Sequence, residues 1–222
     1  MTPGVTIGIP LFNGARFLRR TIESLLAQTR TDFTLTVFDD RSTDDSVAIA
    51  RSFDDPRLRV EVNPVRRGLG GNWNAVLERA STPYAVIAHQ DDVYEPHYLE
   101  TVVALLESQP RAFIAHTRAT YIDEHERALG SVASRYKDAF WPRDEPAMRE
   151  PREELRVLQQ GNYIICPSAI YRMSAVARIG PFDESLRFVT DWDYWLRGLM
   201  AGFTIAGTHA RLICWRRHSS SA

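Results

Sequence analysis

The sequence predicts an α/β fold in which helices flank a mostly parallel, mixed β-sheet. Short runs rich in Val and Ile alternate with segments whose apolar residues recur at helical spacing, the pattern typical of a parallel sheet. Two of these runs end in paired carboxylates, at Asp39–Asp40 and at Asp91–Asp92. The length of 222 residues suffices for one large α/β domain or two small ones. No internal repeat, low-complexity tract or clear domain boundary interrupts the chain.

The first half of the chain is predicted to contain four strand–helix pairs. Residues 5–10 are largely apolar and stop at a proline, so they predict the first strand, and Asn13-Gly14 predicts a turn after it. Apolar side chains from Phe17 to Leu26 recur at helical spacing and predict the first helix. The same criteria predict further strands at residues 33–38, 58–62 and 85–88, and further helices at residues 47–52, 73–80 and 99–108.

The second half is less regular in sequence. Apolar runs predict strands at residues 113–116, 120–123, 203–207 and 211–215, and helical spacing predicts helices at residues 152–160, 173–179 and 190–199. Between residues 131 and 151 the periodicity fails. Long irregular segments in compact domains are often lids or binding loops, so we predict a surface or binding loop there.

Composition and charge exclude several classes of protein. A formal net charge of -1 argues against a general nucleic-acid binder, which usually carries a basic excess. Cys166 and Cys214 lack metal-like spacing and fit small apolar residues in a reduced cytosolic protein. The N-terminus resembles no signal peptide, and no apolar run reaches the roughly 18–20 residues of a membrane span. We therefore expect a cytoplasmic protein, with peripheral attachment to the inner face of the membrane as a further option.

The stretch His89-Gln90-Asp91-Asp92 is the strongest candidate for a functional site. A buried strand leads into two adjacent carboxylates, which are costly in the core but tolerated at a sheet edge facing water or a metal. In open α/β sheets the ligand crevice lies at the carboxyl ends of the strands. Adjacent carboxylates there suit a hard divalent cation that also binds phosphate oxygens. The alternative is a solvated turn that caps the next helix.

Three other segments carry candidate binding groups. Asp40 lies at the tip of the second strand, whereas Asp44 and Asp45 fit better as the cap of the next helix. The glycine-rich loop at residues 63–72 contains two arginines that can neutralise phosphate, or it is a flexible surface loop. Asp191 opens a later helix, where the helix dipole favours a carboxylate, and a plain helix cap is its alternative.

These acids together fit one kind of chemistry. Transfer from a nucleotide-activated donor needs an acid for the base or ribose, an acidic pair for a metal–diphosphate, and a general base. The metal neutralises charge on the phosphate leaving group, and the base takes a proton from the attacking hydroxyl.

The motifs, taken in order, resemble the family 2 glycosyltransferases with a GT-A fold, a Rossmann-like architecture. His89-Gln90-Asp91-Asp92 resembles the acidic metal-binding motif of that family. Trp215-Arg216-Arg217-His218 is similar to its C-terminal histidine motif. The remaining resemblance lies in Ile7–Gly14, Ser24–Thr29, Val37–Ser46, Phe182–Glu184 and Thr190–Arg197.

The resemblance implies a role for each matching residue. Asp191 would deprotonate the acceptor hydroxyl, giving direct displacement with inversion at the sugar carbon. Asp40 would read the nucleobase, and Asp91 would lie by the ribose or the metal. Asp92 would coordinate Mn2+ or Mg2+, with His218 completing the coordination. The other implied nucleotide-binding residues are Pro10, Phe12, Asn13, Arg67 and Asn72.

The resemblance also implies a single GT-A domain over residues 1–222. Its nucleotide-binding part would span about residues 1–125, and its acceptor-binding and catalytic part about residues 126–222. The implied donor is a UDP-, dTDP- or GDP-sugar. The implied acceptor is a carbohydrate or a lipid-linked molecule, in bacterial polysaccharide or glycoconjugate synthesis. No nucleic-acid partner is implied.

The sequence departs from the family pattern at three places. Gln90 stands at the first position of the acidic motif, where the family has Asp, so we expect the metal to depend mainly on Asp92. Thr190 precedes Asp191 where the family usually has Glu. The chain also stops soon after His218, where many relatives continue.

Two other functions compete with a metal-dependent glycosyltransferase. A nucleotidyltransferase also binds nucleotide and metal on a similar sheet, but it usually has a glycine-rich, basic loop after the first strand. Residues 10–13 of this chain read Pro-Leu-Phe-Asn instead. The second alternative is a catalytically silent domain that binds a sugar nucleotide or scaffolds an assembly.

Overall fold

The structure is a computed structural model that describes residues 4–130 and 137–218. In these residues nine strands form one sheet in the order β3-β2-β1-β4-β8-β6-β9-β5, with β7 paired to β9. The strands are β1 (Val5–Leu11), β2 (Phe33–Asp39), β3 (Leu58–Val62), β4 (Tyr84–Ile87), β5 (Val93–Tyr94), β6 (Ala112–Ile122), β7 (Ala147–Met148), β8 (Ile170–Arg172) and β9 (Thr204–Arg216). The helices are α1 (Ala15–Leu26), α2 (Ser46–Arg51), α3 (Gly68–Arg79), α4 (Tyr98–Ser108), α5 (Pro151–Leu158), α6 (Met173–Ile179) and α7 (Thr190–Met200).

The sheet is mixed and mostly parallel, as predicted. Strands β1 to β4 pair in parallel, and so do β6 and β9. Strand β8 joins the two groups by antiparallel pairing with both β4 and β6, so six strands share one direction. Strands β5 and β7 pair antiparallel to β9. The carboxyl ends of β1, β2 and β4 therefore meet at one edge of the sheet.

Side-chain alternation along the central strands divides the core into two layers. Val86 belongs to the layer covered by α1 and α4, and its neighbours Ala85 and Ile87 belong to the layer covered by α3 and α7. Successive residues of a strand point to opposite faces, so a strand with apolar residues throughout is buried on both sides. Helices on both faces of a mostly parallel sheet define a three-layer α/β sandwich.

Three predicted boundaries were wrong. Residues 113–116 and 120–123 form one strand, β6, and the two predicted late strands form one strand, β9. These two strands pair over their length with shifts in register, which accommodate the polar residues that broke the apolar pattern. Helix α3 begins at Gly68 rather than residue 73, because the predicted glycine loop supplies its first turn.

Part of the predicted irregular segment, residues 131–136, lies outside the described residues. The rest of it contains the short strand β7 and the buried ring of Trp141. In the described part of the chain, no helix is both long and apolar enough to cross a membrane. The sheet runs through both predicted parts of the domain, and their division near residue 125 stays a prediction.

Candidate active site

The acidic motif follows β4, and its two carboxylates have different surroundings. Asp92 is completely buried, and its Oδ1 accepts a hydrogen bond of 2.9 Å from the backbone N–H of Arg216. Its Oδ2 is buried without a hydrogen-bond partner in the described structure. Burial, together with the negative charge of Asp91, raises the pKa of Asp92 well above its usual range. A bound cation would provide the missing partner for this buried oxygen.

Three side chains of the motif converge on one point. The ligand atoms of His89, Asp91 and Asp92 lie within 4.8 Å of one another. His89 Nε2 is a second buried atom without a hydrogen-bond partner in the described residues. Burial lowers the pKa of His89, which favours the neutral imidazole that binds metals. One imidazole and two carboxylates, with unpaired buried atoms on His89 and Asp92, fit a divalent cation.

The C-terminal segment closes this side of the site. His218 Nε2 lies 2.9 Å from Asp91 Oδ2, so the histidine assigned to the metal from the sequence contacts the acidic motif through Asp91. The Arg216 side chain is buried, and its Nε donates to the Asp91 carbonyl over 2.8 Å. Its other nitrogens donate to the Asp123 carbonyl and to Glu126 Oε1. Strand β9 thereby fixes the backbone of the acidic motif.

Asp40 organises the loop between β3 and α3. Its Oδ1 accepts hydrogen bonds from the Arg67 backbone N–H over 2.7 Å and from Asn63 Nδ2 over 3.0 Å. Its Oδ2 accepts from the Gly68 N–H over 2.8 Å. The carboxylate is buried and lies at the N-terminus of α3, where the helix dipole stabilises negative charge. In this structure Asp40 therefore holds the glycine-rich loop against the end of β2.

Asn72 and Arg67 belong to the same network. The Asn72 amide donates to the Phe38 carbonyl over 2.8 Å and accepts from Asn63 over 3.1 Å. The Arg67 guanidinium pairs with Glu78 at 3.1 Å, along the outside of α3. Both residues predicted to lie near the nucleotide therefore connect α3 to the tip of β2.

The loop after β1 carries the other predicted nucleotide contacts. The half-buried Phe12 ring lies under the guanidinium of Arg66, 3.8 Å from its centre. Asn13 adopts a left-handed backbone with φ of 49°, and its Oδ1 accepts from the Thr43 N–H over 2.8 Å. Pro10 is half-buried and lies beside Phe38 in the register of β1 and β2. The three residues thus lie near the tip of β2.

Gln90 explains one departure from the family pattern. Its Oε1 accepts from the Phe12 N–H over 2.9 Å, and its Nε2 donates to the Phe12 carbonyl over 3.2 Å. A side-chain amide can make this pair of bonds with a backbone, whereas a carboxylate has no donor. Gln90 therefore joins the acidic motif to the loop after β1.

Asp191 lies in the first turn of α7. Val189 turns the chain into the helix with a φ of 59°. Asp191 is half-buried, and its Oδ2 accepts a hydrogen bond of 2.9 Å from Asn162 Nδ2. Its charge and that of Asp91 both oppose the lowering of the His89 pKa by burial. The predicted base, about a hundred residues away in sequence, therefore lies close enough to the acidic motif for its charge to act on His89.

The segment before α7 is anchored on α3. The Asn74 amide exchanges hydrogen bonds with both backbone groups of Phe182, and its Nδ2 also donates to Glu184 Oε1 over 2.8 Å. A Cβ on Gly70 would lie 3.3 Å from the Glu184 backbone, so the small residues of α3 allow this close approach.

Sequence reasoning missed His89 as a candidate ligand and gave no role to Asn162 or Lys137. Lys137 is half-buried, and its Nζ donates to the Asn162 carbonyl over 2.7 Å. The sequence does hold one signal for Lys137: it is the only lysine in the chain, and all the other residues of the Lys/Arg type are arginines. The metal set predicted from the sequence, Asp91, Asp92 and His218, stays a prediction.

A three-layer α/β sandwich with an acidic motif at the strand ends and a carboxylate close to it at the start of a later helix fits a nucleotide-sugar transferase. Residues 6–180 match the family described as "Glycosyl transferase family 2", so the chain belongs to that family.

Two relatives with similar sequences are named as uncharacterized glycosyltransferases. A protein of Rickettsia prowazekii (strain Madrid E), named as an uncharacterized glycosyltransferase, is 28% identical over 228 residues. The match covers 99% of this chain and 65% of the relative. An uncharacterized glycosyltransferase of Nostoc sp. (strain PCC 7120) is 25% identical over 200 residues, covering 87% of this chain and 57% of the relative. The chain thus spans less than two thirds of the length of both.

Solved structures with similar folds are GT-A transferases, and they confirm the predicted fold. S. aureus TarS 1-349 in complex with UDP-GlcNAc superposes with a TM-score of 0.77 at 16% identity, covering 100% of this chain and 60% of that one. The mannosyltransferase PcManGT from Pyrobaculum calidifontis, in complex with GDP-Man and Mn2+, gives a TM-score of 0.72 at 17% identity. That match covers 100% of this chain and 59% of PcManGT.

Proposed function

We propose that this glycosyltransferase moves a sugar, with inversion, from a nucleoside-diphosphate donor to a hydroxyl acceptor, using Asp191 as the general base. The observation that supports this most strongly is that the charges of Asp91 and Asp191 both act on His89, so the proposed base lies close to the acidic motif. A base and a diphosphate-binding group must lie on either side of the sugar for an in-line displacement.

The proposed step uses few groups of the protein. The acceptor oxygen forms a bond to the anomeric carbon while the bond from that carbon to the diphosphate oxygen breaks. The acceptor proton passes to Asp191, whose Oδ2 is held by Asn162. The buried surroundings strengthen the electrostatic contribution of each charged group. The reaction therefore needs the acceptor hydroxyl within hydrogen-bonding reach of Asp191.

A divalent cation is proposed to bind at His89, Asp91 and Asp92, with His218 bound to Asp91. When bound, such a cation neutralises negative charge on the departing diphosphate. Carboxylates suit Mg2+ and Mn2+ alike, but an imidazole ligand favours the transition metal. We therefore propose Mn2+ rather than Mg2+, the ion that accompanies GDP-Man in PcManGT.

The nucleotide is proposed to bind over the ends of β1 and β2. The residues that support this site are Pro10, Phe12, Asn13, Asp40, Arg67, Asn72 and Asp91. A uridine or guanosine diphosphate is the proposed leaving group, with a thymidine diphosphate as the third option. TarS and PcManGT carry UDP-GlcNAc and GDP-Man respectively, which supports this choice. The acceptor is proposed to be a carbohydrate or a lipid-linked glycan, and the cytoplasmic location stays a prediction.

Binding measurements with a small panel test the donor and the metal together. We expect one of UDP, GDP and dTDP to raise the melting temperature by several degrees in Mn2+, and CMP to have no effect. The shift should disappear in Asp92→Ala, because the variant loses the only fully buried carboxylate of the motif.

The same panel separates the proposal from its alternative. A diphosphate that binds equally well with and without Mn2+ contradicts the metal site. Binding of a diphosphate without release of nucleoside diphosphate from UDP-GlcNAc, GDP-mannose or dTDP-glucose, with any acceptor, would favour the catalytically silent domain.

A further inference from the structure

The loop between α5 and the short turn at Cys166–Ser168 contacts the start of α7. Asn162 in this loop donates from Nδ2 to Asp191 Oδ2 over 2.9 Å. Trp192, the next residue of α7, donates from Nε1 to the Leu158 carbonyl at the end of α5 over 2.9 Å. Two hydrogen bonds therefore join the first turn of α7 to the chain around Asn162.

The orientation of the Asn162 amide is determined by a bond within its own loop. Its Oδ1 accepts from the Ile164 backbone N–H over 3.1 Å. Because Oδ1 must face that donor, Nδ2 must face Asp191. The amide therefore donates to one carboxylate oxygen, and among residues 4–130 and 137–218 no donor contacts the other oxygen, Oδ1. That oxygen is left to accept a proton.

Lys137 holds the backbone of the same loop. Its Nζ donates to the Asn162 carbonyl over 2.7 Å and to the Ile164 carbonyl over 3.3 Å. Burial lowers the pKa of Lys137 to about 8, while the charge of Asp191 opposes the lowering and that of Arg217 adds to it. The Lys137 ammonium thus contacts the backbone of Asn162 and the Asp191 carboxylate contacts its side chain, and the two charges are close enough to interact.

We propose that Asn162 is a positioning residue that holds the Asp191 carboxylate in the orientation needed to accept the acceptor proton, and that Lys137 fixes the Asn162 loop. This inference rests on the proposed function of Asp191. The ionisable groups that face Asp191 besides Lys137 are His89, Cys166 and Tyr171.

Asn162→Asp separates the two roles of the amide. The new side chain keeps an oxygen for the Ile164 N–H but, when ionised, has no donor for Asp191. We expect kcat at pH 7 to fall about tenfold or more and the donor KM to stay within about twofold, because the base loses its positioning hydrogen bond and meets a like charge while the proposed donor-binding residues are unchanged. Asn162→Ala loses both bonds and adds no charge, so it should also lower kcat without raising the donor KM.

The single lysine provides a readout that does not depend on turnover. With ¹³C-labelled lysine, the protein gives one lysine Cε signal, which belongs to Lys137. In Asn162→Asp this signal should keep its wild-type position at low pH, showing that the loop is intact. Asp191→Asn should lower the pH at which it titrates, because the Asp191 charge raises the Lys137 pKa.

Each outcome has a distinct meaning. If Asp191→Asn abolishes turnover while Asn162→Asp keeps the wild-type kcat, the positioning role is wrong. A Lys137 titration that is unchanged by Asp191→Asn also overturns it, because the cluster is then not assembled. Full turnover in Asp191→Asn contradicts the proposed function itself.

Discussion

The side chains of this site differ in how fully the protein itself satisfies their hydrogen-bonding groups. Asp40, assigned to the nucleobase from the family resemblance, already accepts three hydrogen bonds from its own protein. Asp92 and His89 instead keep buried atoms without a partner in the described residues. Buried polar groups are normally paired, so an unpaired ligand atom is the better sign of a missing ion.

Replacing Asp40 should destabilise the fold as well as the site. In Asp40→Asn the new amide would place a donor near the backbone N–H of Arg67 or Gly68, leaving a buried donor unpaired. We expect the free energy of unfolding to fall by about 2 kcal/mol in urea denaturation. The matched control is Asp45→Asn, since Asp45 is exposed and makes no capping bond, and it should change stability by less than about 0.5 kcal/mol. Equal effects of the two changes would contradict the structural role of Asp40.

Lys137 predicts a pH dependence of stability with a definite sign. Burial lowers the pKa of Lys137 to about 8 in the folded protein, whereas a lysine in an unfolded chain has a pKa of about 10.4. Between these values the unfolded chain binds more protons, so the contribution of Lys137 to stability rises with pH in this window. Below pH 8 Lys137 is charged in the folded protein, and the full free-energy cost of burying this charge is present. Wild type should therefore gain stability relative to Lys137→Met from pH 8 to 10, by at most about 1.4 kcal/mol per pH unit.

The control for this prediction is Lys137→Arg. An arginine stays charged across the whole range, so the stability difference between Lys137→Arg and Lys137→Met should be flat with pH. A flat difference between wild type and Lys137→Met would show that Lys137 titrates normally.

At the scale of elements, the close packing of β1 on α3 places the glycine-rich helix against the site. A Cβ on Gly8 would lie 2.4 Å from a Val76 methyl group, a distance that requires the helix or the strand to move. Moving α3 would also move Asn72, Asn74 and the backbone that Asp40 binds. The position of the site is therefore coupled to the packing of one strand and one helix.

Gly8→Ala should reduce the free energy of unfolding by about 1–3 kcal/mol. Val76→Ala removes the clashing methyl groups, so the double variant should lose clearly less than the sum of the two single changes. Gly130→Ala is the control, because no heavy atom lies within 4 Å of its added Cβ, and it should have little effect. Additive losses in the double variant would contradict direct contact between the two positions.

The sequence predicted regular elements well where one physical signal dominated. Strands β1, β2 and β4 are buried on both faces, so continuous apolar runs identified them. The start of α3 was missed because Gly68, Gly70 and Gly71 are poor helix formers, and only contacts with Asp40 and Glu184 favour them there. Strand β9 was divided because exposed residues interrupt its apolar pattern at residues 210–211.

The candidate site could be predicted in part for a similar reason. Asp40, Asp91 and Asp92 follow strands directly, so topology alone brings them to one edge. Asn162 contacts Asp191, and Lys137 contacts the Asn162 backbone, from two segments whose paths no periodicity predicts. Gln90 looked like a weakened metal ligand, and only the structure shows its paired bonds with the Phe12 backbone.

For the whole molecule, the two halves of the sheet carry different parts of the proposed reaction. The parallel strands β1 to β4 present the proposed nucleotide and metal groups, and the segment from residue 161 to α7 presents the proposed base. Strand β9 returns to the acidic motif and holds it through Arg216. The proposed donor and acceptor would therefore meet between two groups of elements joined by β8.

The most direct test of this account is the comparison of Asp191→Asn with wild type in nucleotide binding and in turnover. We expect calorimetry with UDP or GDP in Mn2+ to give the same affinity for both proteins, because Asp191 is not among the residues proposed to bind the nucleotide or the metal. Release of nucleoside diphosphate from UDP-GlcNAc, GDP-mannose or dTDP-glucose in the presence of acceptor should fall by about 10²-fold or more in the variant. Wild-type turnover by Asp191→Asn would contradict the central claim that Asp191 is the base.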